Sequence, residues 1–139
     1  MSSVGRTIHA VLGLWHGLAS IQNVFDILAS TAVAPSLRPV ASKNFQLIGK
    51  LLERVHPSKE NVAVLLSVVA AIEAVASVAF LRGAVEGEGS NDAFAVSLVL
   101  FGAFFLIDDA FDGYEIGSDH RAIFTLVAAS YAASKTAGA

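Results

Sequence analysis

NVAVLLSVVAAIEAVASVAFL, residues 61–81, is an apolar run interrupted inside only by small hydroxyls and by Glu73. About 20 such residues suffice to cross the hydrocarbon of a bilayer as one helix. The run has none of the period-2 alternation of a half-buried strand. Its reading as a transmembrane helix sets the frame for the rest of the chain.

On its N-terminal side, residues 31–58 collect Pro35, Pro39 and Pro57 together with Arg38, Lys43, Lys50 and Arg54, and Lys59 follows. That composition cannot span a membrane. Within it, over about residues 41–55, Phe45, Ile48, Leu52 and Val55 share one side of a helical wheel, and Lys43, Lys50 and Arg54 share the other. The pattern predicts an amphipathic interfacial helix lying on a leaflet. Farther back, about residues 5–29 are long enough for a span but carry a polar side. Arg6 ahead of apolar residues resembles a leader, yet His9, His16, Gln22, Asn23 and Asp26 interrupt the stretch, so it reads as a retained helix.

Beyond residue 81 the polar GAVEGEGSND marks a turn outside the hydrocarbon, and AFAVSLVLFGAFFLI forms the body of a third span over about 93–110. Asp108, Asp109 and Asp112 stand at its far end, followed by Glu115, Asp119 and His120 in an acidic loop. A fourth span, about 121–134, is rich in Ala and Ser, and its weak hydropathy predicts cover by protein. The fold expected is therefore all-α, an integral membrane four-helix bundle in a single domain of 139 residues.

Composition agrees with that frame. Hydrophobic residues make up 55% of the chain and its mean hydropathy is +0.65, too apolar to clothe an ordinary soluble globule. A net charge of -3 gives no basic footprint for nucleic acid, which is not an expected partner. The absence of cysteine removes disulfides, thiolate metal sites and cysteine nucleophiles. Arg38, Lys43, Lys50, Arg54, Lys59 and Arg121 fall on one side of a four-span bundle; Arg6, Arg82 and Lys135 fall on the other. The excess of positive charge predicts a cytoplasmic amphipathic helix and non-cytoplasmic N- and C-termini.

Ionisable groups inside spans are the functional pointers, because each costs about 2.5–3.5 kcal/mol at the bilayer centre. His9, His16, Ser20 and Asn23 follow one another at spacings of seven, four and three, one narrow helical stripe that Asp26 extends by a turn. Such a stripe faces protein or water. Glu73 lies near mid-span, and counting depth from the span ends places it level with His16, so a Glu73 to His16 hydrogen bond is expected. Asn23, Asp26, Asp108 and His120 gather toward the cytoplasmic end. Together the set His16, Asn23, Asp26, Glu73, Asp108 and His120 reads as an intramembrane polar ladder, either a proton or ion path or hydrogen-bonded glue between helices.

Protein-only metal binding is not expected. Glu115 and His120 are five apart rather than the Glu-x-x-His of carboxylate-bridged dimetal bundles, and no zinc-ligand spacing occurs. His16 between Gly13 and Gly17 meets the local requirement for an axial haem ligand, although such glycines serve close helix packing equally well. The cofactor question stays open on sequence. No serine triad, phosphate-cradling loop or dinucleotide fingerprint is present, so no catalytic residue is assigned and no catalytic activity of its own is expected. Trp15 and Tyr131 sit near mid-span as packing residues. Small size and a last span in need of cover predict a structural or accessory subunit, whose partners are the lipid bilayer and other membrane subunits. The alternative is an autonomous or homo-oligomeric bundle that conducts protons or ions, or holds a cofactor, along the ladder.

Overall fold

The computed structural model describes residues 1–88, 91–110 and 114–136; the side chains of residues 109 and 114–118 lie outside the described set. Five α-helices follow one another: α1 (Ser3–Ser30), α2 (Asn44–Leu51), α3 (Lys59–Glu86), α4 (Asn91–Ala110) and α5 (Tyr114–Thr136). Short 3-10 turns at Pro35–Val40 and Glu53–Val55 flank α2. Among the described residues there is no strand.

Local chemistry sets the helix ends. Pro57 cannot sit inside a helix, and the next residue, Ser58, caps α3 by accepting the Asn61 N–H at 3.2 Å. At the end of this 28-residue helix Gly87 takes a left-handed φ of 77° and returns its N–H to the Gly83 carbonyl at 3.0 Å, a helix ending glycine adopts without steric cost. Ser2 caps α1 in the same manner, accepting the Gly5 N–H at 3.1 Å. α1 ends where Ala32 turns to positive φ and Pro35 follows.

α1 and α3 run antiparallel in close contact, and hydroxyls sew their backbones together. Ser77 donates to the Gly13 carbonyl at 2.7 Å and Ser20 donates to the Ala70 carbonyl at 2.8 Å. Gly13 permits the approach: a Cβ there would stand 2.8 Å from Leu81 Cγ and 3.1 Å from the Leu81 nitrogen. At Gly17 it would stand 2.9 Å from Ser77 Oγ. These glycines, four apart, form a small-xxx-small face on which the two helix backbones approach closely.

The α4 and α5 hairpin closes the bundle. Phe94, Leu100 and Phe101 of α4 and Val127 of α5 bury against Leu12 and Phe80. Phe80 and Phe94 meet edge to face at 4.9 Å, while Trp15 stacks on Phe101 at 5.5 Å and Tyr131 tilts against Phe94 at 5.2 Å. A second cluster joins Phe45 of α2 to Val62, Leu66 and Val69 of α3.

Two expectations about boundaries change. The amphipathic segment is broken: α2 covers Asn44–Leu51, and the chain then tightens into a 3-10 turn and reverses through His56 at φ 47°. The last helix is longer than 121–134, because the stretch expected to be an acidic loop is wound into its first two turns from Tyr114. By length and composition, α3 and the Asn91–Asp108 part of α4 are long and apolar enough to cross a membrane. α1 and α5 have the length without that composition.

Candidate functional site

The polar stripe of α1 lies inside the bundle. His9, His16, Asn23 and Asp26 are fully buried, Ser20 is nearly so, and from the facing helices come Glu73, Ser77, Ser97 and Asp108, also buried. A 3.6-residue repeat puts positions 9, 16, 20, 23 and 26 on one face, and the α1–α3 contact covers that face.

The expected Glu73 to His16 bond does not form. Glu73 Oε2 accepts from Asn23 Nδ2 at 2.8 Å. The physical reason is side-chain direction: the Ser20 to Ala70 and Ser77 to Gly13 bonds set Glu73 level with Gly17, but side chains lean toward the N-terminus of their own helix, so in this antiparallel pair Glu73 leans toward Asn23 and His16 leans away from it. His16 lies level with Phe80 instead, stacked on it at 5.8 Å, and its Nε2 is 2.9 Å from Ser97 Oγ on α4. Ser97 spends its proton on the Ala93 carbonyl at 2.9 Å. Nε2 of His16 is then the donor, and Nδ1 is left as an acceptor with nothing to accept. It is the one buried side-chain polar atom without a partner among the described residues.

From Asn23 a continuous network runs into the segment between α1 and α2. Asn23 Oδ1 accepts from Asn44 Nδ2 at 2.7 Å and from Ser42 Oγ at 2.9 Å. The single Ser42 proton is shared with Asp26 Oδ2, 3.0 Å away. That same oxygen accepts the Phe45 N–H at 2.8 Å. Asp26 Oδ1 takes the Arg38 guanidinium at 2.7 Å and the Ser30 hydroxyl at 3.1 Å, and Arg38 closes the triangle by donating to Ser30 at 2.7 Å. Four donors thus saturate a carboxylate that has no contact with solvent. Residues 38–45 form a strap across the ends of α1 and α3, tied down by Asp26 and Asn23.

Asp108 and His120 make a separate pair, with His120 Nδ1 2.5 Å from Asp108 Oδ2 and its ring stacked on Phe104 at 4.9 Å. Among the described residues no hydrogen bond joins this pair to Asp26, and none joins His16 to Glu73. The six ladder residues therefore fall into three groups: His16 with Ser97; Glu73, Asn23 and Asp26 with the strap; and Asp108 with His120. Asp119 is exposed, and the side chains of Asp109 and Glu115, like Asp112 as a whole, lie outside the described residues.

His9, at the other end of the stripe, donates from Nδ1 to the Gly5 carbonyl at 2.9 Å and sits edge-on between Phe80 and Phe94. Among the described residues no three His, Asp or Glu side chains converge as a metal would require. The buried side-chain atom left without a partner among the described residues is His16 Nδ1, whose ring meets Trp15, Phe80 and Phe101.

Reading the sequence missed Arg38, Ser42 and Asn44 as partners of the stripe. The signal that could have found Arg38 is electrostatic: a carboxylate on a buried stripe needs a cation, and Arg38 is the first one downstream of Asp26.

The chain matches no family model, no curated protein and no solved structure. The reading of function rests on the geometry above.

Proposed function

We propose that the protein is a multi-pass integral membrane protein in which α1, α3, α4 and α5 cross the bilayer. On this reading α2 lies on the cytoplasmic leaflet and both termini lie on the other side. The bundle serves as a structural or accessory subunit of a larger membrane protein complex.

The observation that carries the membrane half is an inverted distribution of side chains. His16, Asn23 and Asp26 are inside, while Leu14 is 66% exposed, Val75 61% and Val99 72%. On α1 the outward positions Val11, Leu14, Leu18 and Ile21 form a stripe of their own. In water such faces drive association. In hydrocarbon they are solvated, and the interior polar groups offset their transfer cost by bonding to one another.

The accessory half is supported by the hydrogen bonding of Asn23, Asp26 and the serines and by the bareness of α5. Asn23, Asp26 and the serines facing α3 end in hydrogen bonds between helices, the arrangement of glue rather than of a continuous path. On α5, Val127 is the one side chain buried among those described, and Ala122, Leu126, Ala129 and Ala133 form an exposed stripe of mostly small residues. Small residues gain little from lipid and much from close contact with another helix.

A second reading, an autonomous or homo-oligomeric bundle that conducts protons or ions or holds a cofactor, draws on the unpartnered His16 Nδ1. The gap between His16 and Glu73 weighs against a continuous proton path. Extraction in a mild detergent followed by native mass spectrometry separates the two. Recovery with larger membrane subunits at fixed stoichiometry is the expected result; recovery as a monomer or homo-oligomer supports the second reading, and a visible absorption band would then place a cofactor in it.

A further inference from the structure

Among the described residues the carboxyl groups of Asp26, Glu73 and Asp108 are buried, and their surroundings differ. Asp26 is met by four donors, one of them the Arg38 guanidinium. Asp108 is paired with the His120 ring. Glu73 receives a single hydrogen bond, from Asn23 Nδ2 to Oε2.

The groups around Glu73 are committed elsewhere. Ser20 and Ser77, the hydroxyls on either side of it between α1 and α3, donate to the Ala70 and Gly13 carbonyls. His16 leans away and meets Ser97. On the neighbouring elements, Arg38 is taken by Asp26 and His120 by Asp108. A carboxylate at 73 would be a buried charge with one donor and no cation, a cost that proteins avoid by leaving the group neutral.

Which oxygen holds the proton follows from the Asn23 amide. Its Oδ1 accepts from Ser42 and Asn44, so its Nδ2 faces Glu73 as a donor and Oε2 has to accept. The proton is left for Oε1. That oxygen has no partner among the described residues, yet it is not closed off as His16 Nδ1 is. Glu73 stands in the middle of the buried face of α3, with Leu66, Ala70, Ser77 and Phe80 within two turns to either side, so the water-sized space that reaches Oε1 lies between the helices.

We propose that Glu73 is a proton-binding site between α1 and α3: its carboxyl is a neutral acid whose proton sits on Oε1 and exchanges through that space, while Oε2 stays bonded to Asn23. The proposal goes beyond both readings of function. It draws on the packing of α1 against α3 and not on the membrane reading.

Infrared spectroscopy of the purified full chain, in a mild detergent without carbonyl groups, reads the state of the carboxyl, because a carboxylic acid has a C=O stretch above the main amide band and a carboxylate does not. At about pH 6, where an exposed glutamate is ionised, the expected spectrum contains such an acid band. The band should move on exchange into heavy water, and it should be lost in Glu73→Gln with helicity by circular dichroism unchanged. An isotopic label on the side-chain carboxyl carbon of glutamate identifies the group without any substitution. Glu73 is the one buried glutamate among the described residues, so the band should shift under that label and stay in place under the same label on aspartate. Absence of an acid band at that pH, a band that survives Glu73→Gln, one that shifts only under the aspartate label, or one that does not move in heavy water overturns the proposal.

Discussion

Replacing Glu73 isolates the energy of the polar interior. Glu73 Oε2 receives the Asn23 amide at 2.8 Å, and the other side of that amide is already held by Ser42 and Asn44. Glu73→Gln keeps the shape and an acceptor oxygen, so its stability should stay within about 0.5 kcal/mol of wild type. Glu73→Leu strands a buried donor, which costs about 1–3 kcal/mol in a water-referenced protein. Leucine also removes an ionisable group from the span, and the relief of desolvation offsets part of that cost. The single variant therefore mixes two opposed effects, and a double-mutant cycle with Asn23→Leu separates them. Interhelical hydrogen bonds in membranes couple by about 0.6 kcal/mol on average and up to about 1.7 kcal/mol. The fully buried and well-aligned pair here should fall in the upper half of that range. The assay is unfolding of the four proteins by denaturing detergent, followed by circular dichroism. A coupling within about 0.3 kcal/mol of zero, or identical behaviour of Glu73→Gln and Glu73→Leu, would refute the assignment of this pair as glue.

Two further outcomes follow from the helix contacts. Gly13→Ala forces α1 away from Leu81 and should destabilise by about 1–3 kcal/mol, whereas Gly49→Ala, facing open space, should be neutral or stabilising by up to about 1 kcal/mol; melting both in detergent checks the contrast. Arg38→Ala leaves the Asp26 carboxylate buried with three hydroxyl and amide donors but no cation, and should destabilise by about 1–3 kcal/mol because the guanidinium is itself partly exposed; limited proteolysis should then cut first within residues 35–45.

What the sequence made legible was the part of the fold that depends on periodicity. The spacing of His9, His16, Ser20, Asn23 and Asp26 allows one buried face, and the structure buries it. Gly13 and Gly17 likewise mark the close α1–α3 contact. Contacts between elements were less legible. Depth counted from span ends paired Glu73 with His16, and the Ser20 and Ser77 bonds do set Glu73 level with Gly17; the partners differ because in an antiparallel pair the two side chains lean apart, Glu73 toward Asn23 and His16 toward Ser97 on α4, which depth alone does not encode. The strap was unreadable for a related reason: Ser42 and Asn44 are ordinary loop residues until Asn23, some twenty positions earlier, is brought beside them. The first turns of α5 were read as loop because charge clusters there, with Glu115, Asp119 and His120 following the end of the third apolar run; charge marks where an apolar run stops, and the helix itself can begin before the next one does.

The central claim, that apolar side chains on the outside of this bundle face lipid, can be tested directly because the chain has no native cysteine. Single cysteines at Val75 and Val99, both more than 60% exposed, and at Lys43 on the strap are treated with a water-soluble maleimide in inside-out and right-side-out membrane vesicles. The account predicts that cysteine at 43 is labelled from the cytoplasmic face alone, and that cysteines at 75 and 99 stay unlabelled until detergent or denaturant is added. Rapid aqueous labelling of 75 and 99 in intact membranes, or their full reactivity in a protein recovered without detergent, would contradict it.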